Sequence, residues 1–255
     1  MDGGGLVSGI PFPSPLDRRN LIMSQQDPQK LVAEMAELIG GLAHELRNPL
    51  STMMINLKLL AEDLADENTD SRDMRRRAIN KVDQLIGEAK RLQSLFDEFL
   101  SITGPFEINR KPSKLDKLVC DLIEFVRPMA ASQGVEIQLH GDGDQMVCEV
   151  DEALIRQALL NILINAQQAM PDGGTLDVEL RGDENEIVVA VRDTGIGISE
   201  SDQDRIFRPF FSTKSGGNGL GLSITHRIIG EHGGSMTFQS ELGQGTTVTI
   251  RLPRR

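Results

Sequence analysis

The sequence predicts an antiparallel helical hairpin that pairs into a dimeric four-helix bundle, followed by a two-layer α/β sandwich. Three observations predict it. Apolar residues recur at steps of three and four from about residue 28 to 103. That spacing stops at Gly104-Pro105. Beyond it, short β-branched runs alternate with amphipathic helical segments.

Residues 1–27 carry Gly, Pro, Ser and Gln without periodicity and are expected to form a flexible leader. From 28 to 66, Leu31, Met35, Leu38, Leu42, Leu46, Leu50, Met53, Leu57, Leu60 and Leu64 predict one long helix. Three consecutive steps of four between 38 and 50 make a stutter, which locally unwinds a coiled-coil seam. Asp66 to Asp70 reads as a polar turn, and a second helix follows with a regular seam of Ala78, Val82, Leu85, Ala89, Leu92, Phe96 and Phe99. A lone hairpin buries one stripe per helix, so pairing of two copies is expected. In the remainder, strands are expected at 107–112, 134–140, 145–150, 175–181, 186–192, 235–241 and 245–252, in one mostly antiparallel sheet. Helices are expected at 114–131, 152–170 and 220–232, the middle one capped by Asp151. The expected parts are thus 1–27, 28–103 and 104–255.

Composition narrows the function. Of 255 residues, 27 are basic and 38 acidic, a net charge of −11 that argues against a phosphate-backbone binder. Nine Phe with no Trp or Tyr leave little platform for stacking single-stranded nucleic acid. No run of 18 apolar residues exists and the start lacks a signal-peptide pattern, so a chain without a membrane segment is expected. Cys120 and Cys148 are too few for a disulfide framework, which points to a cytoplasmic home and to space-filling thiols.

Four segments carry chemistry. In His44-Glu45-Leu46-Arg47-Asn48-Pro49, the proline removes an amide that the Glu45 carbonyl would accept from, beside a histidine able to act as a nucleophile. Glu45 is the nearest carboxylate to fix the imidazole tautomer, and Asn48 shares a face with His44. Gln157, Asn161, Asn165 and Gln168 form an amide stripe on a helix that is otherwise apolar; carboxamide oxygens suit Mg²⁺. Asp193 leaves an apolar strand into Gly195 and Gly197, where a ligand can approach the backbone and the carboxylate can accept an exocyclic amine. Ser215 to Ser223, with Gly217, Gly219, Leu220 and Gly221, leads glycines straight into a helix N-terminus, an arrangement suited to phosphate. Between the last two lies a long loop bearing Phe207, Phe210, Phe211 and Lys214, of the length usual for a functional lid.

In this order and spacing the segments resemble the sensor histidine kinases of two-component signalling, over about residues 30–255. His44–Leu50 resembles the phosphoacceptor box, Asn161–Asn165 the N box, and Asp193–Gly197 the first glycine box. Phe207–Phe211 resembles the F box, Gly217–Leu222 the second glycine box, and Gly243–Thr247 the closing turn. The wording of Asn165–Thr175 and Pro209–Lys214 is similar to the nitrogen-regulation subclass. The resemblance implies a GHKL-type sandwich that binds ATP and Mg²⁺. In it Asp193 reads adenine, Asn165 is the metal ligand and Asn161 orients the phosphate region. Gly195, Gly197, Gly217, Gly219, Leu220 and Gly221 shape the nucleotide loops, and Lys214 contacts the γ-phosphate. It further implies that His44 takes the phosphoryl group with help from Glu45 and passes it to an Asp of a separate response regulator, and that Asn48 positions water for regulator dephosphorylation. The partners it implies are a second copy and a receiver domain. Other readings stay open. A serine-directed kinase of the same ATPase class would not need the hairpin bearing His44. A degenerate scaffold would show substituted motifs, and a phosphatase-dominant member would look the same in sequence.

Overall fold

A computed structural model describes residues 28–65, 71–141, 146–214 and 217–254. The expected leader and the Asp66–Asp70 turn lie outside the described residues. Contacts separate the chain up to Gly40 from one compact unit spanning Gly41–Arg255. The chain begins with two long helices, α1 (Pro28–Ala65) and α2 (Ser71–Thr103). There follow β1 (Lys111–Lys114), α3 (Leu115–Ser132), β2 (Val135–Gly141), β3 (Val147–Val150), α4 (Glu152–Gln168), β4 (Gly174–Gly182) and β5 (Glu186–Asp193). The chain closes with α5 (Glu200–Gln203), α6 (Gly221–Glu231), β6 (Ser235–Glu241) and β7 (Gly245–Pro253). No helix among the described residues is long and apolar enough to cross a membrane.

Asp63 pairs with Lys81 and, at 3.5 Å, with Arg77, which pins α1 and α2 antiparallel. The seam differs from the one expected. On α2 the covered positions include Met74, Ala78, Lys81, Leu85, Glu88, Leu92, Leu95 and Phe99, whereas Val82, Ala89 and Phe96 are exposed. On α1 from Gly41 onward, Leu42, Leu46, Pro49, Met53, Asn56, Leu60 and Asp63 are covered, and Leu50, Leu57 and Leu64 are exposed. Each helix thus carries two adjacent apolar stripes. The periodicity alone does not say which one meets the neighbouring helix.

The α/β part has a five-stranded sheet in the order β2-β4-β5-β7-β6, with β2 and β4 parallel and the other neighbours antiparallel. Alternation sends Leu176, Val178 and Leu180 of β4, and Ile187, Val189 and Val191 of β5, to the buried face. They join one core with Leu118, Leu122, Ile155, Leu159, Ile162, Ile224 and Ile228 of α3, α4 and α6. The expected single sheet is corrected. β1 and β3 form a separate two-stranded sheet in which Pro112 opposes Glu149. The strand expected at 107–112 begins only at Lys111. The preceding segment spends its donors elsewhere: the Asn109 amide donates to Asp151 Oδ2 at 3.1 Å. Asp151 also caps α4, accepting from the Ala153 and Leu154 amides. Of the two thiols, Cys148 is buried and pushed up to about 11, while Cys120 is exposed and fills no core space.

Candidate functional site

Residues of β5, α4, α6 and the loop before α6 form one connected polar cluster. The Asp193 carboxylate ends β5, opposite Thr246 of β7, and is only 4% exposed. Its Oδ1 accepts from the Gly195 amide at 2.9 Å and the Thr246 amide at 3.2 Å. Among the described residues no hydrogen bond falls on Oδ2, which keeps acceptor capacity for a ligand. Burial holds this carboxyl above the usual carboxylate range, against the two amides and the Lys214 charge that pull it down. Ser240 braces Thr246, donating to the Gly245 carbonyl and accepting from Thr246 Oγ1 at 2.8 Å.

The amide stripe resolves into two kinds of position. Gln157 and Gln168 are exposed, while Asn161 and Asn165 are half-buried between α4 and α6. Asn161 Nδ2 donates to Thr225 Oγ1 at 2.9 Å, and Asn165 Nδ2 lies 3.5 Å from Asn161 Oδ1. At Gly221 a Cβ would run into the Asn161 carboxamide, so the start of α6 approaches α4 as only glycine allows. The first turn of α6 carries no side-chain cap, which leaves its amides available to an anion. Gly197 and Gly219 both hold φ at +66°.

Lys214 reaches in from the loop. Its Nζ donates to Asn165 O at 3.1 Å, Asn165 Oδ1 at 3.2 Å and Gln168 Oε1 at 3.0 Å. Burial lowers its pKa, opposed by the nearby Asp193 charge. Asn165 Oδ1 already serves a cation, and a carboxamide oxygen is a hard donor suited to Mg²⁺. The loop is anchored by Phe207, which packs tilted on His226 and edge-on against Phe238.

His44 and Asn48 are exposed on α1, and Glu45 beside them is half-buried. Among the described residues, none of the three takes part in the hydrogen bonds around Asp193. Other hairpin residues reach the α/β part instead. Gly41 packs against the Phe210 ring, and Glu98 Oε2 accepts from Asn218 Nδ2 at 2.6 Å. Burial raises the Glu98 carboxyl, and the Asn218 bond opposes the shift. Arg227 of α6 caps the end of α2, donating to the carbonyls of Ser101, Ile102 and Gly104, with its guanidinium over the Phe106 ring. Sequence reasoning did not place Glu98, Thr225 or Arg227 at the site, and it named Gln168 in the amide stripe without its Lys214 partner. Their partners lie 46 or more residues away in the chain, except for the hydroxyl of Thr225, which also bonds back within its own helix.

Residues 34–103 match the family described as His Kinase A (phospho-acceptor) domain, and residues 150–255 match histidine kinase-, DNA gyrase B-, and HSP90-like ATPase. Sporulation kinase E of Bacillus subtilis is 32% identical over 224 residues, which cover 87% of this chain and 29% of that protein. The chain spans about half or less of the length of the curated relatives it matches. The structure of histidine kinase ThkA in complex with response regulator protein TrrA shares the fold, with a TM-score of 0.69 at 22% identity over 91% of this chain and 65% of that one. Full-length ShkA in complex with AMPPNP aligns with a TM-score of 0.63 at 26% identity, over 86% of this chain and 45% of that one. Along the chain, a match to a phospho-acceptor domain is thus followed by a match to an ATPase of the histidine kinase, DNA gyrase B and HSP90 type.

Proposed function

We propose that this chain is the catalytic core of a two-component histidine kinase, which autophosphorylates His44 from ATP and passes the phosphoryl group to an Asp of a separate response regulator. The observation that carries the reading is the buried Asp193 carboxylate, with spare acceptor capacity, in one polar cluster with Lys214, Asn165, Asn161 and the uncapped start of α6. Asp193 would accept from an adenine amine, and the α6 amides would hold phosphate oxygens. Mg²⁺ held by Asn165 Oδ1 would neutralise phosphate charge. Phosphoryl transfer needs alignment and charge neutralisation more than covalent help from the protein. The exposed His44 is accessible to an incoming γ-phosphate, with Glu45 one residue away to steady the imidazolium.

In this reading residues 28–103 dimerise and carry the phosphoryl group, 104–255 bind the nucleotide, and Gly195, Gly197, Gly217, Gly219, Leu220 and Gly221 shape its loops. The uncovered stripe of α1 and α2 supports dimerisation, as does the phospho-acceptor family match. The complex of ThkA with a response regulator supports a receiver-domain partner, and ShkA with AMPPNP supports the nucleotide. A cytoplasmic location and a nitrogen-regulation-like subclass complete the reading, the latter on the wording of Asn165–Thr175 and Pro209–Lys214. The test is incubation with γ-labelled ATP and Mg²⁺, comparing the chain with His44→Ala. Acid-labile, base-stable label that vanishes in the variant is expected. Label retained by His44→Ala refutes the assignment.

A further inference from the structure

Thr225 of α6 is a fully buried polar residue whose hydroxyl is used twice. Its proton goes to the Gly221 carbonyl one turn back, at 2.9 Å. A carbonyl oxygen only accepts, so the hydroxyl faces Asn161 as an acceptor alone. The Asn161 atom 2.9 Å from it is therefore the Nδ2 amine, which turns Asn161 Oδ1 the other way. That oxygen lies 3.5 Å from Asn165 Nδ2, one turn along α4. An acceptor on that side of Asn165 draws its amine there and leaves its Oδ1 pointing away. Lys214 Nζ, which only donates, lies 3.2 Å from Asn165 Oδ1 and reports the same orientation from the loop. Gly221 makes the approach possible, because a Cβ there would collide with the Asn161 carboxamide. A carboxamide has nearly the same shape at its two ends and opposite chemistry, so packing alone does not orient it. Hydrogen bonds do.

We propose that Thr225 is a positioning residue of the nucleotide site, whose hydroxyl acts through Asn161 to present the oxygen of the Asn165 carboxamide, and not its amine, to a metal ion. The proposal rests on the reading of Asn165 as an Mg²⁺ ligand and adds what holds that ligand in register. Valine at position 225 would keep the shape and remove the acceptor, so Asn161 would lose its partner on α6. A reversed Asn161 would turn its amine on the Asn165 amine. Asn165 would then reverse in turn, and an amine cannot ligate a cation. The three residues sit on two packed helices, α4 and α6, so the orientation is set before any ligand arrives.

The experiment is calorimetric titration of the full chain with ADP, once in Mg²⁺ and once in a chelator, for the unaltered chain, Thr225→Val and Thr225→Ser. The quantity read is the factor by which Mg²⁺ tightens ADP. It should shrink about tenfold in Thr225→Val, the effect usual for a lost partner of a metal ligand, and return in Thr225→Ser. A merely structural role would weaken ADP equally in Mg²⁺ and in chelator. Equal weakening, an unchanged factor in Thr225→Val, or no return in Thr225→Ser overturns the proposal. A second measurement uses the unaltered chain, with isotope-labelled asparagine followed by NMR. The Asn161 carboxamide protons should exchange slowly with water, since one is bonded to a buried hydroxyl. Rapid exchange overturns the proposal whatever the stability of Thr225→Val. Asn165→Ala separates the two claims. If Mg²⁺ tightens ADP as much in Asn165→Ala as in the unaltered chain, the metal reading fails and the proposal falls with it.

Discussion

Along α1 and α2, Leu50, Met54, Leu57, Leu64, Ile79, Val82, Ile86 and Phe96 are all exposed, whereas the strands of the five-stranded sheet send their alternate apolar residues into a closed core. The two regions have comparable apolar patterning but opposite geometry. A sheet has one buried face, and three helices suffice to cover it. A helix pair has a single mutual seam, so a second stripe on each helix has nothing within the chain to lie against. Even within the mutual seam, Asn56, Lys81, Glu88 and Asp63 occupy covered positions. The difference teaches that the α/β part closes its own core, whereas the hairpin leaves a second apolar stripe on each helix uncovered within the chain.

The strongest way to break that comparison is to charge the open stripe. Val82→Glu with Ile86→Glu is expected to weaken self-association roughly 1000-fold, since each carboxylate would be buried unpaired in the dimer. Sedimentation should show monomers, and ADP affinity should stay unchanged. Loss of nucleotide binding in this variant would show that the two regions are not independent. Asp193→Asn probes the other side. Charge-assisted acceptance of the adenine amine is lost, so ADP affinity by calorimetry should fall about 100-fold. Stability should not fall with it. The folded-state pKa of Asp193 is raised, so its contribution to stability is greatest at low pH and is lost as pH rises through the raised value. Removing the charge at neutral pH therefore costs the fold nothing, and a lower melting temperature for Asp193→Asn would contradict this account. The smallest effect is expected from Asn48→Ala, on the exposed face of α1. Dephosphorylation of a receiver domain should slow about tenfold through loss of one water-positioning hydrogen bond, with His44 labelling unchanged. Equal loss of both activities would remove the distinction.

Much of the α/β part was legible from the sequence. Six of seven strands and all three longer helices stand within two residues of their expected bounds, because alternation and amphipathicity there are enforced by a single buried face. The strand at 107–112 failed because its start is held by side chains, Asp151 on Asn109 and Arg227 on Phe106, which no local pattern announces. The short helix α5 was also missed; at four residues it has no periodicity to read. In the site, glycines and Asp193 were legible because their spacing along one strand and one loop is local. Gln168 stood out in the amide stripe, but its role beside Lys214 depends on a contact made across the fold.

The sequence by itself determined the hairpin followed by an α/β sandwich, the strand alternation, and the spacing of the polar and glycine residues proposed for the site. Those follow from local spacing and side-chain chemistry. Only the tertiary structure decided which stripe of each hairpin helix faces inward, that Glu98 and Arg227 join the hairpin to the α/β part, and that Lys214 rests on Asn165 and Gln168. Each of these is a choice among partners that the local pattern leaves equivalent. Packing settles it, by deciding which surfaces lose water together and which charges are buried beside them.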